Sequence, residues 1–441
     1  MQPGSQSAMA MHDAAGRTHE GAGVSGKMVE ALWLSGQVDR AVERMEASFA
    51  VLSGDEPDQD LAMFVAQLAR FHYFSGNLEL ARERVDFALR IAEDRVLPEV
   101  LSQALNTKNL VLLSESGYEE GLALLKHALD VAVEGDLTAA AGRALHNLGD
   151  AMMSANRYGE ALEYDGRSLE QARRLGSRMD EWMSLVHLVG SHTALGEWDE
   201  ALALVGQGPD PADGTDAEVF AALMSCWALD VFLARGNLEA ARECVDIVER
   251  ASNPNDPQDV AYTSFWRARL ARAEGDHRGA LTAAERAIGV RSALSMRTTA
   301  VRDAYVEAVE AALDLNELDR AEEFLALVEA APSSDVPPSL RAHAARLRSK
   351  LSISRDEEEG VGEGFARAAS LFRELALPFP LAITLLEHSE WLRAEGREAE
   401  ATSLLAESSR IFDGLKATVW TARVDRARTD SRRAAAAASE A

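Results

Sequence analysis

The sequence predicts an all-α chain, a solenoid of about ten antiparallel helix hairpins with a period near 40 residues. Three observations predict it. A small turn residue recurs at positions 36, 76, 117, 156, 196, 236, 275, 316 and 396, in steps of 39 to 41 residues with one double step of 80. An alanine follows most of these corners by five positions: Ala41, Ala81, Ala161, Ala201, Ala241, Ala280, Ala321 and Ala401. Between corners, apolar residues fall at helical spacing, as Leu145, Leu148 and Met152 do, and no run alternates strictly as a strand would.

A helix hairpin cannot bury its apolar faces alone. It stacks on a neighbour, and a fixed period lets every copy stack the same way. Gly or Asn at the corner tolerates the left-handed backbone that ends a helix. The small residue five positions on lets the second helix approach the first. The apolar residue two after the corner (Val38, Leu78, Tyr158, Trp198, Leu238, Leu318) closes the hairpin end. His277 and Glu398 break that rule, which predicts looser copies there. The copy from Gly117 to Gly121 is one residue shorter.

In chain order, residues 1–25 are rich in Gly, Ala, Ser and Gln without a period and read as a disordered leader. The repeat array is predicted over residues 26–428, and 429–441 as a disordered tail. Pro57, Pro98, Pro209, Pro211, Pro254, Pro257, Pro332, Pro337, Pro338, Pro378 and Pro380 all fall between hairpins. None sits in a predicted helix interior, where proline costs about 3 kcal/mol. Pro98 marks a first helical position before Glu99 to Ser114. Gly206–Asp216 and Ala251–Asp259 read as loops. A degenerate copy spans residues 338–376, its corner the acidic and flexible loop Ser354–Gly364. A helix near Val419–Arg428 is expected to cap the stack.

The segment Ala144–Gly176 carries Leu148-Gly149 in its first helix, Asn156-x-Tyr158 at its corner and Ala161 in its second helix. On these residues the chain resembles the tetratricopeptide (TPR) family. It departs at Leu145, where the family has Trp, and at Asp165, where the family has an aromatic residue. It departs also in period, which is usually about 34 residues. The resemblance implies a right-handed superhelical solenoid whose concave side is lined by the first helix of each pair. The run Gln103–Lys108 and the C-terminal pattern LFREL…LLEHSEWLRAEGREAEA are similar to the TPR region of actinobacterial multidomain regulators. There the array follows a nucleotide-cyclase or LuxR-type DNA-binding part and an AAA-type ATPase. No motif of those catalytic parts occurs here, so no catalytic residue carries over.

The net charge of −27 opposes broad binding to nucleic acid or anionic membranes. No run of apolar residues is long enough to span a bilayer, and no secretory signal is legible. Cys226 and Cys244 fit no metal or redox spacing. They are expected as buried thiols on the two helices of one hairpin, consistent with a reducing cytoplasm. The segment Gly21-Ala-Gly23-Val-Ser-Gly26-Lys27 nearly matches a phosphate loop, but no strand precedes it, and Met28 stands where a Ser or Thr would hold magnesium. His187 and His192 are five apart, not the four that align two ligands, and there is no H-E-x-x-H or G-x-S-x-G motif.

These readings assign no catalytic, cofactor-binding or metal-ligating residue. They point to a non-catalytic interaction and regulatory module that binds a partner protein or peptide in its concave groove. The alternatives are a small-molecule or peptide sensor, or the separated TPR part of a cyclase- or ATPase-type regulator. The inward-facing candidates are Arg70, Tyr73, His146, Asp150, Asp230, Phe265, Arg269, Arg272 and Glu310. Mixed charge with aromatics suits an extended peptide or a partner helix.

Overall fold

The computed structural model describes residues 38–53, 56–114 and 117–440, and every regular element among them is helical. The expected leader and the Gly-rich segment around Lys27 lie outside the described residues. In order the helices are α1 (Val38–Leu52), α2 (Gln59–Phe74), α3 (Leu78–Arg95), α4 (Pro98–Ser114), α5 (Tyr118–Glu134), α6 (Thr138–Ser154) and α7 (Tyr158–Leu175). There follow α8 (Arg178–Leu195), α9 (Trp198–Val205), α10 (Thr215–Trp227), α11 (Leu229–Ala234), α12 (Leu238–Ala251), α13 (Pro257–Ala273) and α14 (His277–Gly289). The chain ends with α15 (Thr299–Asp314), α16 (Leu318–Glu329), α17 (Pro338–Ser354), α18 (Val361–Glu374), α19 (Pro378–Ala394), α20 (Glu398–Leu415) and α21 (Thr418–Glu440). Helix α21 continues past Arg428 into the segment read as a tail. The described residues divide into two compact units, those up to residue 148 and those from residue 149 onward.

The corners do what their residue types allow. Asn156 and Asn316 take φ of 63° and 57°, and Gly76, Gly196, Gly236, Gly275 and Gly396 are also left-handed. The alanines five residues later, Ala41 through Ala401, are all fully buried at helix crossings. Ala280 and Ala401 are as buried as the rest, so the copies led by His277 and Glu398 are not looser at this contact. A second series of left-handed residues, Val96, Asp136, Gly176, Ala376 and Lys416, turns the chain between hairpins.

The degenerate copy keeps its corner at Asp356, φ 57°, in step with Asn316 and Gly396. Its second helix starts at Val361, so the acidic stretch is partly helical rather than a loop through Gly364. Ser349 Oγ on α17 donates to the Val361 carbonyl at 2.9 Å and pins that start. Cys226 and Cys244 are buried on α10 and α12, the two arms of one hairpin.

Inside the second unit, hairpins far apart in sequence also touch. The Asn156 carboxamide oxygen accepts from the Ser339 backbone N–H at 2.9 Å and so caps α17, 183 residues away. Trp198 packs edge-on against Phe379 at 5.1 Å. Arg235 donates to the Leu415 carbonyl, and Thr418 Oγ1 donates to the Arg235 carbonyl at 3.2 Å. Asp199 accepts from both Arg235 and Lys416. Gly196 lies so close to Pro378 that an added Cβ would overlap its ring. Three successive corners thus dock on helix starts or ends of later repeats, and this unit closes on itself.

Candidate functional site

Of the nine sequence candidates, Arg70, Tyr73 and His146 belong to the first unit and the other six to the second. Within the second unit the first helices of successive hairpins turn one polar row toward each other. Residues three or four apart on a helix share a face. Arg269 and Arg272 on α13, Glu307 and Glu310 on α15, and Arg346 and Lys350 on α17 are such doublets.

The doublets interlock. Arg269 Nε lies 2.9 Å from Asp230 and 3.4 Å from Glu307. Arg272 Nε meets Glu307 at 2.7 Å. Arg346 bonds Glu310 and, at 2.8 Å, Glu387 on α19. Lys350 Nζ bonds the same two acids at 2.6 and 2.9 Å. Burial works to raise the Glu310 pKa, but Lys350, Arg346 and Arg272 hold it well below the usual carboxylate range. Burial likewise opposes charge on Arg272, yet Glu307 and Glu310 outweigh it and raise its pKa. Arg269, Arg272 and Glu310 are therefore cross-braces between hairpins, with their charges already answered inside the chain.

Beside this row is a cavity of about 100 Å³. Its walls come from α6, α7, α8, α10, α11, α13 and α15, with Met153, Trp227, Tyr262, Phe265 and Trp266 as the apolar part. Tyr262 lies 5.5 Å from Trp227 and 5.4 Å from Trp266, ring centre to ring centre. Gly190 on α8 makes room for Trp227, since an added Cβ would come within 2.5 Å of its ring. The end of α10 at Ala228 interrupts the helix immediately after Trp227.

The polar part of the cavity is Asp230, Thr299, Arg302 and Asp303, with Arg269 at the edge. Arg302 is paired with Asp303 at 2.7 and 3.0 Å. Its Nη1 is buried without a well-formed hydrogen bond, with the Tyr158 hydroxyl beside it. Cys226 also lines the cavity, and burial and then Cys244 push its thiol pKa well up.

Two candidates gain company the sequence did not show. Phe265 sits under Arg269, 5.6 Å from its guanidinium carbon. Asp150 is open to solvent although protein surrounds it, and burial raises its pKa against the pull of His187. His187 Nδ1 is 3.2 Å from Asp165, the residue standing where the repeat resemblance expected an aromatic. The buried acid–imidazole pair fills that position, and Gly149 is required beside it because an added Cβ would overlap the Asp165 carboxylate.

Sequence reading missed Trp227, Tyr262, Trp266, Arg302, Asp303, Glu307, Arg346, Lys350 and Glu387. The signal was present as polar doublets at matching places in consecutive first helices, and as the Tyr262/Trp266 pair one helical turn apart. Among the described residues no group of three or more His, Cys, Asp or Glu is placed to hold a metal ion, and no helix is long and apolar enough to cross a membrane.

No family model matches the sequence, and no curated protein does. Solved structures do match. Human IFIT1 dimer with m7Gppp-AAAA aligns over 92% of this chain and 90% of that chain, at 14% identity and a TM-score of 0.50. A Rap protein complexed with competence and sporulation factor aligns over 90% and 99%, at 13% identity and 0.47. The apo quorum sensor NprR from B. thuringiensis aligns over 91% and 99%, at 12% identity and 0.44. Likeness at these identities concerns the fold, and in fold this chain is an all-α, TPR-like helical solenoid.

Proposed function

We propose that the chain is a non-catalytic binding module. Its second unit holds an extended peptide segment of a partner protein along the inner face, with one side chain seated in the Trp227–Tyr262–Trp266 cavity. The observation that carries this reading is the cavity's size and lining. Sites for whole small molecules or cofactors usually enclose about 300–1,000 Å³. The space here, about 100 Å³, suits one apolar side chain of a longer ligand. That weighs against the small-molecule sensor. The Arg302–Asp303 pair is neutral overall, so this wall of the cavity suits an uncharged polar group such as a peptide carbonyl better than a second charge. The resemblance to multidomain regulators is what supports a signalling role for such a module, with the separated TPR part of a cyclase- or ATPase-type regulator as the alternative.

The test is selection of peptides on the full chain, followed by affinity measurement. For a peptide that binds, Trp227→Ala is expected to weaken affinity at least about tenfold, or about 1.4 kcal/mol. Unchanged affinity in a folded Trp227→Ala variant overturns the assignment of the cavity. Charge reversal at Arg269 or Arg272 is a poor probe, because it strands Glu307, which is 1% exposed.

A further inference from the structure

The first unit shows the opposite of the answered charges described above. Arg70 on α2 lies with its guanidinium carbon 5.4 Å from the Phe74 ring centre. Arg143 on α6 donates from Nη1 to Gln103 Oε1 on α4. One turn further along the same two helices, Asn147 Nδ2 donates to Asn106 Oδ1 at 3.0 Å. These two rungs tie α6 to α4 and hold the Arg143 side chain in place. Neither arginine has a carboxylate partner among the described residues. Burial, and then the charge of Arg70, pushes Arg143 down to about 10. Arg70 is open to solvent although protein surrounds it, and that partial desolvation lowers its pKa as well. The chain carries 72 acidic against 45 basic residues, and Arg269, Arg272 and Arg346 each have an acid of their own. Two neighbouring arginines held without one are therefore a specific feature of this face.

We infer that Arg70, Arg143 and Gln103 form an oxyanion-binding site on the first unit, which takes a carboxylate or phosphate group carried by a partner. Guanidinium forks match the two oxygens of such a group and bind it bidentately. Gln103 uses its oxygen to fix Arg143, which leaves its amide NH₂ as a further donor. The anion relieves both the repulsion between the arginines and the desolvation that each carries alone. This site is independent of the aromatic cavity, and Trp227→Ala leaves it intact.

The test uses the full chain at low salt, with fluorescein-labelled hexaglutamate as probe and inorganic phosphate as competitor. Saturable binding is expected, weakened at least about tenfold by Arg70→Gln and by Arg143→Gln. The exposed Arg174→Gln serves as control and leaves binding unchanged. Because each Gln variant removes a like-charge contact, its thermal midpoint is expected at or above that of the parent, which separates lost binding from lost folding. Hexaglutamate binding that phosphate does not displace identifies a carboxylate ligand, and phosphate binding without hexaglutamate binding identifies a phosphate ligand. Binding of neither probe, equal affinity in both Gln variants, or a lowered thermal midpoint in both variants overturns the site.

Discussion

Arg346 is the most informative single side chain to remove. It is 4% exposed and bonds two acids, Glu310 and Glu387, that are each 7% exposed. Lys350 bonds the same pair, so two cations balance two anions. Arg346→Leu leaves one cation against two buried carboxylates. Breaking a buried pair in this way typically costs about 3–5 kcal/mol. The double variant Arg346→Leu/Glu387→Leu removes one charge of each sign and leaves Glu310 with Lys350 at 2.6 Å. Exchanging a balanced buried pair for apolar side chains is often nearly neutral, so the double variant is expected to recover most of the loss. Urea unfolding of the parent, both single variants and the double variant closes the cycle. A single-variant cost below about 1 kcal/mol, or no recovery in the double, refutes the claim that this network braces α15, α17 and α19.

Other outcomes follow from the same reasoning. The Glu310 and Glu387 pKa values are lowered from 4.5, so unfolding takes up protons. Their stability contribution is whole above pH 4.5 and drains as the pH falls below it, which acid titration of the urea midpoint detects and Glu310→Gln diminishes. His343 is held neutral, its pKa pushed down to about 3 by burial and then by Arg346; its ring resonances are expected not to titrate between about pH 5 and 8. Val96 is 82% exposed yet left-handed at φ 55°, so Val96→Gly is expected to stabilise the chain by about 0.5–1 kcal/mol, and destabilisation would contradict the strain. Gly149→Ala is expected to cost about 1–3 kcal/mol by driving a methyl into the Asp165 carboxylate, with most of the loss restored by adding Asp165→Ala.

The sequence by itself determined the repeat. Corner residues and the small residue five positions later act within one hairpin, between groups only a few residues apart, so their spacing alone states the geometry. Even the degenerate copy kept its corner in step, at Asp356, although its acidic composition disguised where α18 begins. The 3.6-residue period assigns residues to helix faces, so the sequence could name candidate positions for an inward face. Which of those groups answer each other was not legible. Arg269 and Arg272 look the same in sequence as Arg70, yet the first two are paired with Asp230 and Glu307 while Arg70 has no acid partner among the described residues. Only the tertiary structure decided that, because reach between α13, α15, α17 and α19 depends on how steeply successive hairpins rotate. The same rotation brought Asn156 to the start of α17 and Trp198 against Phe379, and enclosed the cavity beside Trp227. Small angular steps add up over several repeats, and no local pattern in the chain records their sum.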